Sequence, residues 1–295
     1  MKKIGLFVLL GLSMGLSGCV DQSQTVESTT DKPTIVVTSV VVTEILAALD
    51  LTAQVIGVPH SEFELPPVFE EVTRVGMAMA PDMEMIAYLN PDWILSPLSL
   101  EGELAAGYYE AGFNSAFVNL SSLEGLHQAI IELGEKFDRE AEAGVLVEHF
   151  FDFVETHRMA LEGLYSPTVL ILMGLPDGLS YVVATEHSYV GNLVRFAGGT
   201  NVFADEEDDF LNISMEEMLE RDPDIILLTS HAMPDLVEVM FDRAFETNDA
   251  WQHFRAVEEG HVYQLSHGMF GMSANLTYPE AIAYLVDLLF EVEDD

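Results

Sequence analysis

From residue 34 onward, short unbroken runs of apolar, β-branched residues alternate with stretches whose apolar positions recur every three or four residues. The first pattern marks strands buried on both faces, the second marks amphipathic helices. Strands are expected over 34–43, 54–58, 92–96, 113–119, 167–173, 225–229 and 261–265. Helices are expected over 44–51, 81–89 (opening on Pro81), 100–111, 122–137 (capped by Ser122), 186–197, 215–221, 236–243 and 278–290. Gly198-Gly199 supplies the stop after 186–197. One helical pattern, 139–164, is longer than the others and carries no strong breaking signal. Strands and helices alternating in this way predict an α/β fold with largely parallel sheets.

The pattern also repeats. Met83-Glu84 and Pro91-Asp92-Trp93-Ile94-Leu95 recur as Met215-Glu216 and Pro223-Asp224-Ile225-Ile226-Leu227, each 132 positions later. Both copies read as a short helix, a Pro-Asp turn and a buried strand. The chain is therefore expected to form two similar lobes, 33–138 and 165–295, joined by the long helix 139–164. Two lobes around one strut leave a cleft, and clefts between domains are preferred ligand sites.

Composition narrows the function. The chain has 295 residues with 50 acidic and 11 basic side chains, a formal net charge of −39. Such a surface repels phosphate backbones and excludes nucleic-acid binding. A single cysteine excludes an internal disulfide framework and Cys-based zinc or iron–sulfur sites. That residue, Cys19, ends the quartet Leu16-Ser17-Gly18-Cys19 after a basic start (Lys2, Lys3) and an apolar run over 4–16. The arrangement resembles the lipobox of bacterial lipoproteins. The resemblance implies a signal peptide over 1–18, a lipid on the Cys19 sulfur and a protein held on the extracellular face of the cell membrane. Residues 19–32, polar and aperiodic, read as a flexible tether.

No phosphate-cradling glycine loop, His-Glu-x-x-His or usable Gly-x-Ser-x-Gly is present; the one match to the last lies inside the signal peptide, at Gly11 to Gly15. The acidic run over 205–209 lacks the glycine of a calcium loop and reads as a solvated turn. No catalytic constellation exists, so a binding protein and not an enzyme is expected. Two segments carry coordinating chemistry. Val75-Gly76-Met77-Ala78-Met79-Ala80-Pro81 places thioethers in a loop before a helix, and Ser230-His231-Ala232-Met233-Pro234 places an imidazole directly after a strand. Ligands of doubly wound sheets bind outside the carboxyl ends of strands, where His231 falls. A thioether opposite an imidazole suits haem iron. Met77 and His60 are alternative donors. Copper(I) bound by Met77, Met79, Met83 and Met85 is disfavoured, because helical spacing spreads those sulfurs over several faces.

The strings Val75-Gly76-x-Ala78-Met79-x-Pro81-Asp82-Met83-Glu84, Leu170-Ile171-Leu172-Met173-Gly174, Ala184-Thr185-Glu186-His187-Ser188-Tyr189, Pro223-Asp224-Ile225-Ile226-Leu227 and Phe270-Gly271-Met272-x-Ala274-Asn275-Leu276 resemble the haem-binding lipoproteins of Gram-positive ABC importers. The resemblance spans nearly the whole mature chain. It implies the class III substrate-binding fold, two Rossmann-like lobes joined by a single long helix, with haem as the transported ligand. Carried onto this sequence, the axial ligands fall on Met79 and His231. Thr43, His60 and Ser61 would meet the propionates, and Tyr189, Phe270 and Met272, with Phe63, would form the apolar walls. Glu84 and Glu216 would dock onto arginines of an ABC permease served by its ATPase, and the binding protein itself is expected as a monomer. A ferric siderophore or a corrinoid is the runner-up cargo, although Arg74, Arg195, Arg243 and Arg255 are too scattered to receive an anionic siderophore.

Overall fold

A computed structural model describes residues 32–61, 63–175 and 179–290 of the chain. The expectations for the signal peptide, for Cys19 and for the tether up to residue 31 lie outside the described residues. β1 (Ile35–Val37) is short, because Ser39 opens α1 (Val40–Ala48) by accepting a hydrogen bond from Val42 N. The strand expected over 34–43 therefore ends early. Val40, Val41, Val42 and Thr43 are β-branched, yet the cap and the burial of Val42, Ile45 and Leu46 outweigh their preference for strand. β2 (Val55–Val58) and β3 (Thr73–Arg74) precede a small hairpin of β4 (Gly76–Met77) and β5 (Ala80–Pro81). Pro81 lies in that hairpin, so α2 (Met83–Leu89) starts later than expected, capped by the Asp82 carboxylate. β6 (Trp93–Pro97), α3 (Glu101–Glu110), β7 (Ser115–Val118) and α4 (Leu123–Lys136) complete the first half, with Ser122 capping α4 as the sequence predicts. Its five strands are all parallel, in the order β3-β2-β1-β6-β7.

The long helix α5 (Glu140–Leu161) leads to the second half. There β8 (Thr168–Gly174), β9 (Tyr181–Ala184), α6 (Tyr189–Phe196), β10 (Thr200–Asn201) and β11 (Phe210–Leu211) are followed by α7 (Met215–Glu220) and β12 (Ile225–Ser230). α8 (Pro234–Thr247), α9 (Arg255–Glu258), β13 (Val262–Gln264), α10 (His267–Phe270) and α11 (Tyr278–Phe290) end the described chain. The sheet order is β11-β9-β8-β12-β13, with β10 beside the start of β8. β8, β10, β12 and β13 pair in parallel, whereas β9 and β11 add an antiparallel edge. The continuous apolar run of β8 is explained by its two buried faces: Val169, Ile171 and Met173 join one core, and Leu170 and Leu172 join another.

The repeated Pro-Asp motif has a structural purpose. Asp92 accepts from Thr34 N at 2.8 Å and Thr34 Oγ1 at 2.9 Å, locking the starts of β1 and β6 together. Asp224 does the same for Thr168, whose N and Oγ1 each lie 2.7 Å from Oδ2, locking β8 to β12. Burial pushes the Asp224 carboxyl up, but bonds from Thr168, Arg255 and Tyr165 outweigh it and hold the group below the usual carboxylate range. Both staples sit at the amino ends of the strands. The opposite, carboxyl ends are left for the loops that could meet a ligand.

One core cluster runs through both halves. It includes Leu123, Leu126 and Ile130 of α4, Val147 and Phe150 of α5, Val190 and Leu193 of α6, and Ile282 and Leu285 of α11. Leu123 N also donates to Asn192 Oδ1 at 3.0 Å, and Arg195 pairs with Glu124 at 2.7 Å, so α4 and α6 are joined by polar bonds as well. Within the seam, His127 stacks on Phe150 at 3.6 Å and meets Tyr278 edge-on at 5.5 Å. Its ring nitrogens are buried without a hydrogen-bond partner, and burial pushes its pKa down to about 4. The neutral ring is thus part of the fold, while an unfolded chain would take up a proton below about pH 6.5. Its contribution is fully present above that pH and is lost as pH falls toward 4, so the parent should lose about 2 kcal/mol more between pH 7.5 and pH 5 than His127→Phe. Chemical denaturation of both proteins at the two pH values measures this; identical losses would contradict it.

Candidate functional site

The carboxyl ends of β1, β2, β12 and β13 carry Ser39, His60, His231 and His267 respectively. The β4–β5 hairpin lies next to His60 in the first half. Gly76 makes it possible: its φ of +87° is the left-handed region, and a Cβ there would stand 2.7 Å from Asp82 N. Met77 pairs with Ala80, so Ala78 and Met79 form the two-residue tip. Met79 is 66% exposed and Met77 56% exposed, which removes core packing as their purpose. The His60 loop is fastened to the base of this hairpin, since His60 N donates to Gly76 O at 2.7 Å.

In the second half, β12 delivers His231 with its backbone fixed by a 2.9 Å bond from His231 N to Gly174 O at the end of β8. The ring Nδ1 lies against Met272 Sδ. Together these two side chains line a pocket of about 230 Å³ with Met173, Leu175, Val182 and Phe210. The imidazole is the only group in that lining able to bind a metal through nitrogen; the rest is apolar or thioether. Burial pushes its pKa down, and the adjacent His267 pushes it further, so the ring is neutral and has a lone pair to give at neutral pH. His267 Nδ1 lies 2.7 Å from Ser230 O, an acceptor only, so that nitrogen carries the proton. Its ring stacks on Phe63 of the first half at 4.8 Å and 23°. His60 thus contacts the hairpin, and Phe63 contacts His267, whose Nδ1 donates to Ser230 O at the end of β12.

The remaining expected residues divide. His60 is exposed and Ser61 is half-buried, with Ser61 Oγ accepting from Phe63 N at 3.0 Å. Thr43 is fully buried and its hydroxyl donates to Val40 O of its own helix, so it has no free group for a propionate in this conformation. Tyr189 and Phe270 are also sealed in the core, 1% and 0% exposed, and do not line the pocket. Met272 alone of the expected apolar walls lines the pocket. His267, Met173, Val182 and Phe210 were not legible as site residues, although Ser266-His267 directly follows a predicted strand, as Ser230-His231 does. Glu84 and Glu216 are exposed in the first turns of α2 and α7, equivalent positions in the two halves. Cys19 lies outside the described residues.

Several cationic side chains are engaged elsewhere. Arg74 donates to Phe69 O and Glu70 O, Arg221 pairs with Asp205 at 2.9 Å, Arg255 pairs with Asp224 at 2.7 Å, and Lys136 Nζ sits 3.2 Å above the Trp93 ring. The pocket lining contains no lysine or arginine. The arrangement is suited to a flat apolar molecule with a metal centre, and unsuited to a compact polyanion that needs convergent cations.

Comparison with known proteins agrees with this geometry. The family described as Periplasmic binding protein matches residues 35–267, from β1 to α10. The high-affinity heme uptake system protein IsdE of Staphylococcus aureus (strain Newman) is 35% identical over 277 residues, covering 94% of this chain and 94% of that protein. Among solved structures, S. aureus IsdE complexed with heme gives a TM-score of 0.82 at 37% identity, covering 88% of this chain and 99% of the other. An ABC transporter substrate-binding protein from Listeria monocytogenes EGD-e gives the same TM-score and coverage at 40% identity. A heme-binding protein of Pseudomonas aeruginosa shares the fold at 18% identity, with a TM-score of 0.68. With its family profile running through both sheets and a relative matched along nearly its full length, this chain belongs to the periplasmic binding protein family.

Proposed function

We propose that the chain captures haem outside the cell and hands it to an ABC permease for iron acquisition. The observation that carries the reading is a neutral imidazole, His231, presented from an apolar pocket in a chain 35% identical to a heme uptake protein. In this reading the porphyrin lies between two lobes, 33–138 and 165–295, whose relative position is limited by the strut 139–164. Met79 approaches the iron from the hairpin tip and His231 from the end of β12. Apolar burial of the macrocycle and two axial bonds supply the affinity. The propionates stay largely in water near His60 and Ser61, where a carboxylate needs no cation partner. A lipid on Cys19 keeps the protein at the membrane surface. Among the described residues, no helix is long and apolar enough to cross a membrane.

Haem added to the purified mature protein should give a sharp low-spin Soret band. Met79→Ala and His231→Ala should each change that spectrum and weaken binding by about tenfold or more. An unchanged spectrum in both variants would overturn the ligand assignment while leaving haem as cargo.

Docking to the permease is assigned to Glu84 and Glu216. Two equivalent carboxylates on two similar halves form a two-fold target for a two-fold symmetric partner. Replacing both by alanine should cut haem uptake by reconstituted permease by about tenfold, while haem titration of the isolated protein is unaltered. Uptake at the parental rate would remove the assignment.

A further inference from the structure

A histidine that ligates a metal normally donates its other ring N–H to a carbonyl, a carboxylate or water, which fixes the ring and makes it a stronger donor. His231 differs. Its Nδ1 edge faces the thioether of Met272, a weak acceptor that adds almost no electron density to the ring. The chain on both sides of Met272 is held in place. Before it, Thr229 Oγ1 donates to Phe270 O and His267 Nδ1 donates to Ser230 O, binding α10 to the end of β12. After it, Ala274 N donates to Leu120 O of the first half at 2.8 Å. The His231 backbone is held by Gly174 O. With both segments held, the recorded contact puts the sulfur at the Nδ1 edge of the imidazole, and Nε2 is the nitrogen left to meet a ligand.

We infer that Met272 is a positioning residue for His231, orienting the ring with Nε2 outward and keeping it a deliberately weak axial donor. The inference rests on the proposal that His231 ligates haem iron, and it adds a reason for the thioether. A carrier must release its cargo, and an imidazole backed by sulfur instead of a carbonyl lets go of iron faster. Met272 touches the ligand and not the iron.

The test uses the haem-loaded full chain and measures haem loss to excess apomyoglobin, together with the iron reduction potential. Met272→Gln offers Nδ1–H an amide oxygen at a similar reach. It should slow haem loss by about tenfold and lower the potential, because a more basic imidazole favours ferric iron. Met272→Leu keeps the bulk without an acceptor, so it should stay low-spin and release haem within about twofold of the parent. Met272→Asn serves in place of the glutamine variant if that protein does not fold. Equal release rates and potentials for the parent and the amide variants would overturn the inference. A leucine variant that turns high-spin would also overturn it, because the sulfur would then be a ligand itself. A parent chain with no low-spin Soret band would strike the haem reading beneath it, an outcome distinct from either of these.

Discussion

The proposed site draws on two separate sheets, and a shared apolar core holds those sheets together. Leu123, Leu126 and Ile130 on α4 and Val190, Leu193 and Val194 on α6 belong to the same buried cluster, which also takes in α5 and α11. Separating the halves would expose that surface at roughly 25 cal/mol per Å², together with the buried Leu123–Asn192 bond. Wide opening is therefore costly, and small adjustments at the rim are the motion left to this fold. The aromatic trio of His127, Phe150 and Tyr278 lies inside the seam, which makes the seam itself sensitive to acid.

The strands are used asymmetrically. At their amino ends, Thr34–Asp92 and Thr168–Asp224 lock neighbouring strands with the same set of bonds. At their carboxyl ends the chain carries polar side chains, among them His60, His231 and His267. Rigid amino ends let the loops at the other end vary without loss of register. The Phe63–His267 stack and the His60–Gly76 bond connect those loops across the two halves.

Much of this was legible in the sequence, for identifiable reasons. Long elements with a strong period, such as α4 with its Ser122 cap and α11 over Tyr278–Phe290, fall where the pattern places them. The repeat of Pro-Asp followed by an apolar strand was visible, though its purpose as a staple needed the Thr34 and Thr168 partners, which are distant in sequence. Local propensity failed over Val40–Thr43, where one serine cap and a buried face override four β-branched residues. The Met79 hairpin was hidden because its strands are two residues each, too short for any period to show. At the site, His231 was readable from its place after a strand, whereas Tyr189 and Phe270 carried no sequence signal separating a wall from a core residue. His267 was missed because its importance comes from contacts with Ser230 and Phe63, neither of which is near it in the chain.

The central claim is that one sulfur, Met79 Sδ, and one imidazole nitrogen from the opposite half share a single iron. Proton NMR of the diamagnetic ferrous complex tests this most directly, since a methionine methyl held against a porphyrin face is moved far upfield by the ring current. The account predicts one such methyl signal, absent from Met79→Leu and retained in Met77→Leu. A spectrum without an upfield methyl, or one whose signal survives in Met79→Leu, would contradict it.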